Sequence, residues 1–155
     1  MKMKRLLITA MFVLFGSQAS AWVSKGFKPN KVSQIAIVVQ DDATNGCWTN
    51  IGEVKRYAED KLELAGHNVY RKRKDGWVGY RHYKLAIQII SNRTPFNLCF
   101  GAVRLLLYKA NKTEDIAGLF TAGELHMPFV GKQNLNQYVL EKVGDFMEQV
   151  EDPQW

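Results

Sequence analysis

The chain has 155 residues, with 21 Lys and Arg against 15 Asp and Glu, three His and two Cys. Hydrophobic residues at 46% and charged residues at 23% exclude wholesale disorder, and the length holds one ordinary domain rather than several.

The first 21 residues read as a leader. Lys2, Lys4 and Arg5 precede an apolar run from Leu6 to Gly16, interrupted by Thr9, and Ala19-Ser20-Ala21 follows. Basic, apolar and small, in that order, is a secretory signal peptide. As a helix the run reaches about 16 Å, half a bilayer core, which is too short for an anchor. Cleavage near Ala21 is expected, with 22–155 as a single exported domain, periplasmic or secreted, and no transmembrane segment after it. Without the leader's three bases the chain keeps 18 basic and 15 acidic residues, a net charge of +3. Cys47 and Cys99 both fall in the exported part, and an even count in an oxidising compartment predicts one disulfide between them. No C-x-x-C occurs to support a redox role.

In chain order, Val23 to Lys31 reads as an exposed lead-in containing Gly26 and Pro29. Gln34 to Gln40 is a short β-branched run, a strand buried on both faces. Asp41 to Gly46 carries turn chemistry. Asn50 to Ala65 is a helix: Ile51, Val54, Ala58, Leu62 and Ala65 form one apolar stripe, Asn50 and Glu53 a capping box, and Gly66 the stop. His67 to Arg73 and Tyr83 to Asn92 are expected to form a hairpin around Asp75-Gly76 and Gly79. Phe100 to Ala110 and Ile116 to His126 are two more strands, the last ended by Pro128 and Gly131. Asn134 to Val150 is a second helix, striped by Leu135, Val139, Val143, Phe146, Met147 and Val150, with Asn134 and Gln137 as its capping box. The order β-α-β-β-β-β-α predicts an α+β domain: about five mainly antiparallel strands, two amphipathic helices on one face, and one disulfide.

The feature that points to function is Arg71 to Lys84, R-K-R-K-D-G-W-V-G-Y-R-H-Y-K, six bases with one acid and interleaved aromatics. Guanidinium groups pair with phosphate or carboxylate, and aromatic rings stack on sugars or bases. Arg71, Arg73, Lys74, Trp77, Tyr80, Arg81 and Tyr83 are therefore the candidate binding residues, for an anionic envelope component or an acidic partner protein. Strand alternation would put Arg71 and Arg73 on one face. The plain alternative is a solvated hairpin whose charges protect an edge. Export argues against nucleic acid as the ligand, despite the basic-aromatic composition.

Catalytic signatures are weak. His67, His82 and His126 lack metal spacing, and neither H-E-x-x-H nor G-x-S-x-G occurs. Asp41-Asp42 and the acidic residues of the first helix read as turn and solvated face. No cofactor, metal or catalytic group is expected. The sequence therefore points to a non-enzymatic binding or accessory protein of the cell envelope. A small disulfide-tied immunity or enzyme-inhibitor protein is the first alternative, and an unrecognised enzyme the second.

Overall fold

A computed structural model describes residues 22–24, 27–28, 34–71, 82–112 and 117–151. The elements are β1 (Trp22–Val23), β2 (Ile35–Ala43), α1 (Ile51–Leu64), β3 (Tyr83–Arg93), β4 (Cys99–Lys112), β5 (Ala117–Lys132) and α2 (Asn136–Glu151). They form one α+β domain with a mixed sheet in the order β1-β5-β4-β3-β2. Four strands are long and β1 is a two-residue edge. The β2–β3 pairing is parallel, with α1 in the crossover, and the other three pairings are antiparallel.

Alternation decides which sheet face is covered. Ile35 and Ile37 of β2, Leu85, Ile87 and Ile89 of β3, Val103, Leu105 and Leu107 of β4, and Leu125 and Phe129 of β5 all point inward. They share one core with Val54, Ala58 and Leu62 of α1 and Val139, Val143, Phe146 and Met147 of α2. Both helical stripes therefore lie where the sequence periodicity puts them, on the same sheet face. The opposite face has no helix over it among the described residues.

Of the expected strand at His67–Arg73, the described residues 67–71 form no strand, and Lys72 and Arg73 lie outside the described residues. Val69 alone forms a bridge, an isolated parallel one to Ile35 on the outer side of β2, made through the Asn68 carbonyl and the Tyr70 N–H. Strand β3 is flanked by β2 and β4, so His67–Arg73 is no hairpin partner for Tyr83. The physical reason is composition: Val69 and Tyr70 are the only apolar anchors in H-N-V-Y-R-K-R, and a longer strand would have nothing to bury. The fifth strand is instead β1, at the start of the segment expected to be an exposed lead-in. Val23 and Phe27 are both buried there.

Boundaries also shift. Strand β2 continues through Asp41 and Asp42, which lie exposed near its end, and Asp41 Oδ1 accepts the Ala43 N–H at 3.0 Å. Strand β5 passes through Pro128 and Gly131. Proline is tolerated because, among the described residues, only β1 borders that edge, at Glu124 and Gly123. At Gly101, φ is +152°, and an added Cβ would stand 2.0 Å from the Ile90 carbonyl oxygen. Glycine lets β4 approach β3 that closely.

The helix ends differ from a simple reading. Asn50 makes no side-chain cap bond; its Oδ1 accepts the Trp48 indole N–H at 2.8 Å and its Nδ2 donates to Glu53 at 2.8 Å. Asn134 Oδ1 does accept the Asn136 N–H at 3.2 Å, but Gln137 donates to Glu141 and leaves the second box open. Gly66, at φ +83°, ends α1 as expected, with His67 N–H donating to the Leu62 carbonyl.

The Cys47–Cys99 disulfide is formed, with both residues fully buried. It joins the lead into α1 to the start of β4. Leu135 N–H donates to the Cys47 carbonyl, which brings the start of α2 to the same end.

Candidate functional site: the roots of the basic segment

The segment from Arg71 to Lys84 is rooted at one place. Ile35 N–H donates to the Asn68 carbonyl and Tyr70 N–H to the Ile35 carbonyl, at 2.8 and 2.7 Å. On the other side Tyr83 N–H donates to the Gln34 carbonyl at 3.0 Å. The two roots therefore flank the start of β2, one strand away on either side, about 10 Å apart by sheet spacing.

The aromatic residues at the roots are packed together. Tyr70 stacks on His82 with centroids 4.8 Å apart. Phe27 stacks on His67 at 4.9 Å and meets Tyr83 edge-on at 5.2 Å. The Lys109 ammonium lies over the Tyr83 ring, 5.6 Å from its centroid. His67 is buried with neither ring nitrogen hydrogen-bonded, and burial lowers its pKa from the ordinary 6.5.

Of the candidate binding residues, only Arg71 and Tyr83 lie among those described. Arg71 reaches onto α1: its Nη2 is 2.8 Å from Glu63 Oε1 and its Nε 3.7 Å from Glu59 Oε2. Glu59 also faces Lys55 at 3.9 Å. The Arg71 side chain is 61% exposed, so these contacts are worth about 0–1 kcal/mol, but they orient it toward the helix. Arg73, Lys74, Trp77, Tyr80 and Arg81 lie outside the described residues. Arg71 lies in no strand, and the expected shared face for Arg71 and Arg73 falls outside the described residues because Arg73 does.

The opposite end of the sheet carries a feature the sequence reading missed. Phe96, Leu98 and Phe100 are exposed in and beside the β3–β4 turn, with Ile90 and Val130 nearby. The available signal was the run T-P-F-N-L, which sets two large apolar residues in a turn where polar ones are usual. Shallow depressions lie elsewhere among the described residues. One, of about 330 Å³, lies between Glu53, Tyr57, Gln137, Leu140 and Glu141 of the two helices. Another, of about 220 Å³, lies on the uncovered sheet face beside Arg104, Tyr108 and Leu119. Arg104 is held there by Glu124 at 3.1 Å.

The fold is thus that of an α+β domain with a mixed sheet helical on one face and a single disulfide. Two solved structures share it. PelC from Paraburkholderia phytofirmans, solved as a dodecamer, aligns with a TM-score of 0.52 at 7% identity, over 88% of this chain and 98% of that one. A single-substitution variant of the same protein, also a dodecamer, aligns with a TM-score of 0.50 at 10% identity, over 86% and 97%. At such identities the likeness is one of fold. No family model matches the chain, and no curated protein matches it.

Proposed function

We propose that this chain is an exported, non-enzymatic accessory protein of the cell envelope that contacts an anionic envelope component or an acidic partner protein through its basic-aromatic segment. The observation that supports this reading is the common root. Both ends of the segment are held beside the start of β2, and the chain from Arg71 to Lys84 that joins them carries six bases and one acid. Summed charge of one sign at one end steers and holds a ligand of the other. Arg71 then serves as an anchor, its guanidinium turned to Glu59 and Glu63. Arg73, Lys74 and Arg81 are the ligand contacts, and Trp77 and Tyr80 stack. Export rests on the leader. The disulfide, which closes a loop between residues 52 apart, suits an oxidising compartment.

The test is retention on immobilised heparin, a model polyanion, in a salt gradient. Replacing Arg73, Lys74 and Arg81 together by Gln should bring elution to much lower salt. A control triple, Lys28, Lys55 and Lys61 to Gln, changes net charge equally and should elute near wild type. Trp77→Ala should weaken retention with little change in salt response, since stacking is less ionic. Equal elution of the two triples would refute the assignment. Both PelC chains were solved as dodecamers. Light scattering on the same samples therefore separates retention by many linked sites from retention by one.

A further inference from the structure

Ring contacts on both faces of the sheet join the two roots of the basic segment. Tyr83 is in register with Ile35 and packs against the core, and so does Val69, which bridges to Ile35 from the other side. Alternation then puts Tyr70 and His82 on the face opposite the helices. There Tyr70 stacks on His82 across the start of β2. On the helix side Phe27 lies between His67, on which it stacks, and Tyr83, which it meets edge-on. Each cluster ties one root to the other, and each contains a histidine.

His67 is the costly member of this clamp. It is 3% exposed, and neither ring nitrogen has a hydrogen-bond partner. A neutral imidazole carries one N–H donor and one acceptor, so both are buried unpaired. Its backbone N–H donates to the Leu62 carbonyl at the end of α1. The titratable and charged groups around it are the Tyr83 phenol, the Lys109 ammonium over the Tyr83 ring, and Glu59 and Glu63 of α1, which are turned to Arg71. Among the described residues no carboxylate pairs with His67, and burial is what lowers its pKa. A proton added in place would make a buried cation with no acceptor, and with a second cation over the neighbouring ring. The imidazolium is stable only where water reaches it.

The backbone attachment of the first root is slight. Val69 makes one isolated bridge, through the Asn68 carbonyl and the Tyr70 N–H. An attachment of that size opens at far lower cost than a central strand does.

We propose that the clamp is acid-sensitive: protonating His67 draws its ring away from Phe27 and frees residues 67–70 from the start of β2, while the rest of the domain stays folded. Histidine is the side chain whose charge changes under modest acidification. The inference rests on the reading above only in giving the freed stretch a purpose, since it leads into the basic segment. The opening is measured without any ligand, so failure of the heparin assay and failure of the clamp are separate results.

The experiment is hydrogen exchange of the exported full-length protein, read amide by amide by nuclear magnetic resonance at pH 7.5 and 5.5. Each rate is divided by that of an unstructured chain at the same pH. At both values the Ile35 and Tyr70 amides should be less protected than the Leu105 amide of the central strand β4, which marks local opening. Their protection should fall by up to about tenfold at the lower pH. That is the factor by which an imidazole with the ordinary pKa of about 6.5 when open, and neutral when closed, favours opening over the interval. His67→Phe should show no such fall, and neither should His67→Gln, a second variant that does not titrate in this range. His126→Gln, exposed on β5, should respond as wild type does. Circular dichroism at both pH values checks that each variant is folded. Unchanged protection in wild type would overturn the proposal, as would a full fall in either folded His67 variant. Ile35 and Tyr70 amides exchanging no faster than Leu105 would also overturn it, because the root would then be released only by global unfolding.

Discussion

Removing the disulfide tests the architecture most directly. The bond closes a loop between residues 52 apart and joins the lead into α1 to the start of β4. In the chain-entropy account a loop of that length stabilises the folded state by about 4 kcal/mol. Against the typical 5–15 kcal/mol of a whole domain, that is a large share. Both cysteines are fully buried beside Trp48, so replacing both by Ala leaves small voids that act in the same direction. Urea denaturation of the exported protein, followed by far-ultraviolet circular dichroism, is the assay. With a slope of about 2 kcal/mol/M, the Cys47→Ala/Cys99→Ala midpoint should fall by about 2 M. Wild type treated with reductant should shift similarly. A midpoint within about 0.5 M of wild type at unchanged slope would refute the reasoning, because the loop entropy would then be missing or already restricted in the unfolded chain.

Two further outcomes are expected. Leu62→Ala should cost about 2–5 kcal/mol, since Leu62 is fully buried between α1 and the sheet, while exposed Asp60→Ala should stay within about 0.5 kcal/mol; equal urea midpoints would mean α1 is turned the wrong way. Glu59 is a poor control, because it sits between Lys55 and Arg71. His67 titrates below its ordinary 6.5 when folded because it is buried, so below that pH the unfolded chain binds more protons than the folded one. Stability should therefore fall as pH drops through about 6.5 and on toward the lower folded value. His67→Phe, which can keep the stack on Phe27, should show a smaller loss between pH 7.5 and 5.5 in thermal melts.

Local signals account for what was legible in the chain. The stripes Val54, Ala58, Leu62 and Val139, Val143, Phe146, Met147 specify two helices and their buried sides, because a 3.6-residue period leaves one face to bury. Period-2 runs specify β3 and β4 almost to their ends, and two exported cysteines allow a single internal pairing. Gly66 marks the end of α1 because its backbone needs positive φ. These are properties of a residue and its near neighbours.

Tertiary structure decided what depends on partners distant in sequence. Whether His67–Arg73 could be the hairpin partner of β3 turned on what flanks that strand, and β2 and β4 already hold both of its edges. The fifth strand comes instead from Trp22–Val23, which only the free edge of β5 makes useful. Arg71 looks like a ligand arm in sequence, yet it meets Glu59 and Glu63 because the crossover lays it beside α1. Arg93 looks like part of a polar turn, yet it binds loops that lie 40 to 48 residues away. The apolar end arises in the same way: Ile90, Phe100 and Val130 are ordinary strand residues until antiparallel register sets them side by side on the face that, among the described residues, no helix covers. Local periodicity specifies which side of an element is apolar, but only the packed arrangement of elements determines which of those sides remains in contact with water.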